Sequence, residues 1–107
     1  MNINGRLVES AKPIYIIAEV GINHNGSLDD AIKLMRIAKD CGCNTVKFQK
    51  RDPDVCVPEE QKSQIRDTPW GEMTYLEYRK RVELSQSDYK RISEVATEIN
   101  IDWFASP

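Results

Sequence analysis

The arrangement that most restricts this chain is a strand-like run, a glycine-rich loop, a capped helix and a second strand-like run within about 35 residues, the length of a right-handed βαβ crossover. Ile14-Tyr15-Ile16-Ile17-Ala18 is β-branched, aromatic and unbroken by polar residues, which predicts a strand covered on both faces, as in parallel sheets. Glu19 is then expected at its carboxyl end. Gly21-Ile22-Asn23-His24-Asn25-Gly26 follows as a loop rich in residues that tolerate positive φ. Ser27 as N-cap, with Asp30 three residues on, predicts a capped helix whose apolar face is Leu28, Ala31, Ile32, Met35 and Ala38. Gly42 is placed to end it, and Thr45-Val46-Lys47-Phe48-Gln49 reads as the second strand.

The remainder repeats the alternation less evenly. Arg51 to Pro69 is polar, holds Pro53, Pro58 and Pro69, and reads as a long loop. Tyr75, Tyr78 and Val82 suggest a short helix. Ser85 with Asp88 forms a second capping-box pattern before a helix with Ile92, Val95, Ala96 and Ile99 on its buried stripe. Asp102 to Ala105 is the third strand. This order belongs to a parallel α/β sheet, open or closed into a barrel. Residues 1–12 are polar and read as an N-terminal extension, with Asn4-Gly5 as the turn of a possible short hairpin before Pro13. Residues 13–107 carry the βα units. Ala105-Ser106-Pro107 follows a strand directly, which reads as the front piece of a longer protein.

Composition narrows the function classes. With 40% hydrophobic and 30% charged residues the chain is a globular mixture, and 107 residues suit one domain. Fifteen basic against 17 acidic residues leave a formal charge of −2, no footprint for a nucleic-acid backbone. The longest apolar run, Ile14 to Val20, contains Glu19 and is too short to span a bilayer. No signal segment opens the chain, so the cytoplasm is the default compartment, with reduced thiols.

In parallel α/β folds the strand carboxyl ends form the site face. The three ends here carry Glu19 with Asn23 and His24, then Lys47 with Gln49, then Ser106. A cation, a carboxylate, amides, an imidazole and a hydroxyl together suit an anionic, polyhydroxylated ligand. Lys47 supplies point charge to a phosphate or carboxylate, and Gln49 can read sugar hydroxyls. Each also has a plainer reading: a solvated strand end for Glu19, a loop hydrogen-bonder for His24, a turn opener for Ser106. Cys41, Cys43, Cys56 and His24 match no usual zinc spacing, and Cys41 and Cys43 are expected as small buried hydrophobes. Trp70 and Tyr75 are either sugar-stacking or core residues.

Ile16-Ile17-Ala18-Glu19-Val20-Gly21-Ile22-Asn23-His24-Asn25-Gly26-Ser27-Leu28 resembles the opening motif of the sialic acid synthase (N-acetylneuraminate synthase) family. Val46-Lys47-Phe48-Gln49-Lys50 resembles its second-strand motif, and Trp70 to Tyr75 and Phe104 to Pro107 resemble two further segments. The family also includes legionaminic, pseudaminic and spore-coat sugar synthases. The resemblance implies the N-terminal portion of a (β/α)8 TIM barrel with parallel strands, followed in full-length members by a small domain that completes the partner subunit's site in a homodimer. It implies condensation of phosphoenolpyruvate with an N-acylated amino sugar such as N-acetylmannosamine, giving a nine-carbon 2-keto acid and phosphate. A divalent metal, typically manganese, polarises the sugar aldehyde. Its histidine ligands are expected beyond Pro107. By position, Lys47 and Ser106 would hold phosphoenolpyruvate, Gln49 would touch the amino sugar, and Glu19 would serve the reaction centre, with His24 and Asn23 in the same motif. A non-catalytic sugar- or phosphate-binding barrel remnant is the alternative from another class.

Overall fold

The computed structural model describes the strand pairs Asn2–Ile3 and Arg6–Leu7 and residues 14–107. Asn2–Ile3 (β1) and Arg6–Leu7 (β2) pair antiparallel, Asn2 opposite Leu7 and Ile3 opposite Arg6. The expected Asn4-Gly5 turn and Pro13 lie outside the described residues.

Then come β3 (Ile17–Gly21), α1 (Leu28–Asp40), β4 (Thr45–Gln49), α2 (Pro53–Cys56), α3 (Glu59–Lys62), β5 (Ile65–Thr68), β6 (Gly71–Thr74), α4 (Tyr75–Arg81), α5 (Gln86–Ile99) and β7 (Asp102–Ser106). Strands β3, β4 and β7 form one parallel sheet in that order. Their register is regular from Thr45 opposite Asp102 to Gln49 opposite Ser106, and Glu19 stands opposite Lys47. The α/β class with a parallel sheet is therefore what the chain adopts.

Helices α1 and α5 pack on each other and on one face of this sheet. Ala31, Met35 and Ala38 from α1, and Tyr89, Ile92, Val95 and Ala96 from α5, cover Val20, Val46 and Phe48, with Ala18, Trp103 and Ala105 packed against them. Alternation along a strand then puts Ile17, Glu19, Lys47, Gln49, Phe104 and Ser106 on the opposite face. That face has no helical cover among the described residues. At its amino end the Tyr15 hydroxyl reaches past β4 to donate to Asp102 at 2.9 Å.

Among the described residues the first strand is covered on one face only, where the unbroken apolar run predicts cover on both. Ile17, the strand residue on that face, is 43% exposed, and Ile14 and Ile16, 80% and 46% exposed, precede the strand. The strand also starts later, at Ile17, so Glu19 lies within it rather than after it. The expected loop from Arg51 to Pro69 is a second correction. It is not an open loop but two short helices and the β5–β6 hairpin, antiparallel from Ile65 opposite Thr74 to Thr68 opposite Gly71. Asp52 caps α2 by accepting from the Asp54 N–H, and Pro53 occupies its first turn. The hairpin turns through Pro69-Trp70, where the Thr68 hydroxyl donates to the Gly71 carbonyl and Gly71 has φ +99°. No helix among the described residues is long and apolar enough to cross a membrane.

Candidate functional site

A single backbone feature aims Glu19. Pairing of β3 with β4 is regular to Glu19–Lys47 and then slips by one residue, so that Gly21 stands opposite Phe48. Such a bulge bends a strand and redirects a side chain. Gly21 sits at φ +56°, and a Cβ there would lie 3.3 Å from Glu19 Oε1. The bulge thus needs glycine for its backbone, and the carboxylate lies close over that glycine. The other carboxylate oxygen, Oε2, is 3.1 Å from Lys47 Nζ. This pair is worth little to stability, because both side chains are partly in water, with exposures of 61% for Glu19 and 32% for Lys47. What it fixes is direction: a cation and a carboxylate side by side on the open face.

Two residues further along β4, Gln49 is paired with Ser106 on β7, both half-buried. Four of the sequence-predicted residues, Glu19, Lys47, Gln49 and Ser106, therefore share one face and its carboxyl rim. Asn23 is exposed on the loop beyond β3, where its N–H donates to the Val20 carbonyl at 2.9 Å.

His24 is not on that face. It is 1% exposed, beneath the loop and 6.0 Å from the Phe48 ring centroid. Its Nδ1 accepts from the Gly26 N–H at 3.0 Å, so Nε2 carries the proton, and Nε2 is buried without a hydrogen-bond partner. Burial pulls its pKa below 6.5, against smaller upward pulls from the Gly21 backbone, Asp30 and Asp88. The neutral imidazole pins the loop against the sheet.

One residue that nothing in the sequence sets apart also reaches this rim. Arg79 of α4 is 8% exposed, and its Nη2 donates to Gln49 Oε1 at 3.4 Å. The signal was weak in the sequence, where Arg79 is one basic residue in the run Arg79-Lys80-Arg81. Trp70 and Tyr75 carry cations on their rings instead: Arg81 lies 4.4 Å from Trp70 and Arg66 5.1 Å from Tyr75. Two clefts, of about 550 and 520 Å³, are lined by other segments and include neither Glu19 nor Lys47.

The described residues do not fit a bound divalent metal, for no three of His, Cys, Asp and Glu gather as a group that could hold one. The cysteines are free, and the expected burial of two of them is corrected: Cys41 is exposed and Cys43 half-buried. Cys41 is the C-cap of α1, at a helix end facing water.

Comparison with known proteins agrees with this layout. Residues 34–107 match the NeuB family. The N-acetylneuraminate-9-phosphate synthase of Drosophila melanogaster is 39% identical over 106 residues, covering 97% of this chain and 27% of that protein. The N,N'-diacetyllegionaminic acid synthase of Legionella pneumophila is 36% identical over 100 residues, covering 91% and 28%. Further relatives are named for pseudaminic acid synthesis and spore-coat polysaccharide biosynthesis. The crystal structure of the N-acetylneuraminic acid synthetase of Leptospira borgpetersenii has the same fold, with a TM-score of 0.79 and 24% identity over 100% of this chain and 33% of that one. The chain thus spans little more than a quarter of the length of the curated relatives it matches. With more than half of its residues matched to that family, the chain belongs to the NeuB family.

Proposed function

We propose that this chain forms the opening β-strands and helices of a (β/α)8 barrel, and that the complete protein condenses phosphoenolpyruvate with an N-acylated amino sugar, N-acetylmannosamine or a close analogue. The observation that carries the reading is the Glu19–Lys47 pair, set across adjacent parallel strands on the face without helical cover. In a closed barrel that face points inward and its carboxyl rim is the mouth.

On this reading Lys47 and the Ser106 hydroxyl bind the phosphoenolpyruvate anion, and Gln49 hydrogen-bonds the amino sugar. The nucleophilic methylene carbon of phosphoenolpyruvate bonds to the sugar aldehyde carbon, whose oxygen takes up a proton. Water then adds at the phosphate-bearing carbon, and loss of phosphate leaves the 2-keto acid. Glu19, held by Lys47 and open to water, orients that water or moves its proton. Asn23 edges the mouth, and His24 supports it from below. Manganese, which supplies Lewis-acid polarisation when bound, belongs to residues outside those described, so no step above runs through it. The protein acts in the cytoplasm as a homodimer. Relatives are named as synthases of N-acetylneuraminate-9-phosphate, N,N'-diacetyllegionaminic acid and pseudaminic acid.

Lys47→Met in the full-length protein tests the assignment. Phosphate release should show kcat/KM for phosphoenolpyruvate falling by roughly tenfold to a hundredfold, with the amino-sugar KM changed much less. Equal losses for both substrates would count against Lys47 as the anion holder.

A further inference from the structure

The Glu19 carboxylate is tied, through a short run of contacts, to a residue that lies off the open face. His24 is 1% exposed, and the described residues alone bury it, so any further chain only deepens that burial. The loop around it is three successive turns. The Asn23 N–H donates to the Val20 carbonyl, Asn25 to Ile22 and Ser27 to His24, at 2.9, 3.0 and 3.0 Å. Each of these bonds fixes a residue only against a near neighbour in the chain. The imidazole adds a hold on the sheet. Its Nδ1 accepts from the Gly26 N–H at 3.0 Å, and its ring centroid lies 6.0 Å from that of Phe48, tilted by 47°.

Phe48, itself fully buried, is the register partner of Gly21. The His24 ring thus joins the far end of the loop to the residue opposite the bulge. The Gly21 backbone also acts on the imidazole, pulling its pKa up against the larger lowering by burial. Gly21 is in turn the residue over which Glu19 lies, with Oε1 3.3 Å from where a Cβ would stand. A bulge redirects its neighbouring side chains, so whatever holds the bulge holds the carboxylate. Lys47, Gln49 and Ser106 are placed differently. They sit on β4 and β7, whose pairing is regular throughout and includes no residue of the loop. Loss of the ring should therefore move Glu19 and leave those three side chains in place.

We infer that His24 is a positioning residue for the condensation, setting the Glu19 carboxylate through the Gly21 bulge without touching a substrate. The inference rests on the role proposed for Glu19, and the two fail separately. In the full-length protein, His24→Ala should lower kcat for phosphate release by roughly tenfold to a hundredfold, the cost of a misplacement of about 1 Å, with KM for both substrates near wild type. His24→Asn, whose side-chain oxygen can stand where Nδ1 stood, should restore part of the loss. In a Glu19→Gln background His24→Ala should cost little more, because its effect runs through a carboxylate already removed. Melting curves check that each variant is folded at the assay temperature. If His24→Ala does not fold, the same cycle is run with His24→Asn, whose smaller kcat loss should also vanish in that background. Fully additive losses, or a raised KM with kcat unchanged, overturn the inference. A second readout needs no turnover: the carboxyl-carbon NMR signal of Glu19, identified by its disappearance in Glu19→Gln, should move when His24 is replaced. An unmoved signal overturns the link to Glu19, whereas a wild type that releases no phosphate overturns the condensation alone.

Discussion

His24 shows how one buried side chain commits to a protonation state. The imidazole must stay neutral for two reasons: it is out of water, and a proton on Nδ1 would face the Gly26 N–H it now accepts from. Burial lowers its folded pKa below 6.5, while the unfolded chain keeps the ordinary value. Just below pH 6.5 the unfolded state therefore binds more protons, so stability is full above that pH and declines as pH falls toward the folded value. The melting temperature of the wild type should drop between about pH 7.5 and 5.5 more than that of His24→Gln, which keeps an acceptor but does not titrate. Parallel profiles would show that this imidazole carries no such linkage. The sequence placed Asn-His-Asn in a loop, but only burial separates a support from a ligand. Arg79 makes the same point in reverse: one of fifteen basic residues by sequence, it is set apart solely by being buried next to Gln49.

At the scale of elements, the caps were the most legible features. Ser27 accepts from the Asp30 N–H at 3.1 Å, and Ser85 and Asp88 form both halves of a capping box. Ser27 forms only one half, since its own N–H is taken by the His24 carbonyl at 3.0 Å. Local chemistry of this kind depends on residues three apart and can be read directly. The end of α5 was less legible, because it closes on Asn100 at φ +58° rather than on a glycine. The loop before α1 is held from above as well. At Gly26, φ is +76° and a Cβ would lie 2.1 Å from the Arg81 carbonyl oxygen, whereas Gly42, at φ +88°, has nothing within 4 Å. Gly26→Ala should therefore destabilise by about 2–3 kcal/mol and Gly42→Ala by about 1 kcal/mol in urea unfolding. Equal costs would mean that the contact with the end of α4 yields freely. The hairpin of 65–74 escaped the sequence reading because its strands are short and exposed, so no alternation marks them.

The whole molecule presents a sheet dressed on one side. Strands β3 and β7 are its edges among the described residues, and Ile17 and Phe104 are 43% and 37% exposed on the undressed face. Unpaired strand edges beside exposed apolar groups tend to pair with another chain. The 107-residue chain alone should self-associate in sedimentation velocity at micromolar concentration, and a monomer across the whole range would contradict this. The βαβ order, the helix caps and the buried stripes of α1 and α5 were determined by sequence alone, because each follows from propensity and period within a few residues. The alignment of Glu19 with Lys47 was decided by tertiary structure, for it depends on a register between strands far apart in the chain and on a one-residue bulge at Gly21. The burial of His24 and Arg79 likewise waited for packing. Solvent access is a property of what lies across from a residue, and sequence order does not contain it.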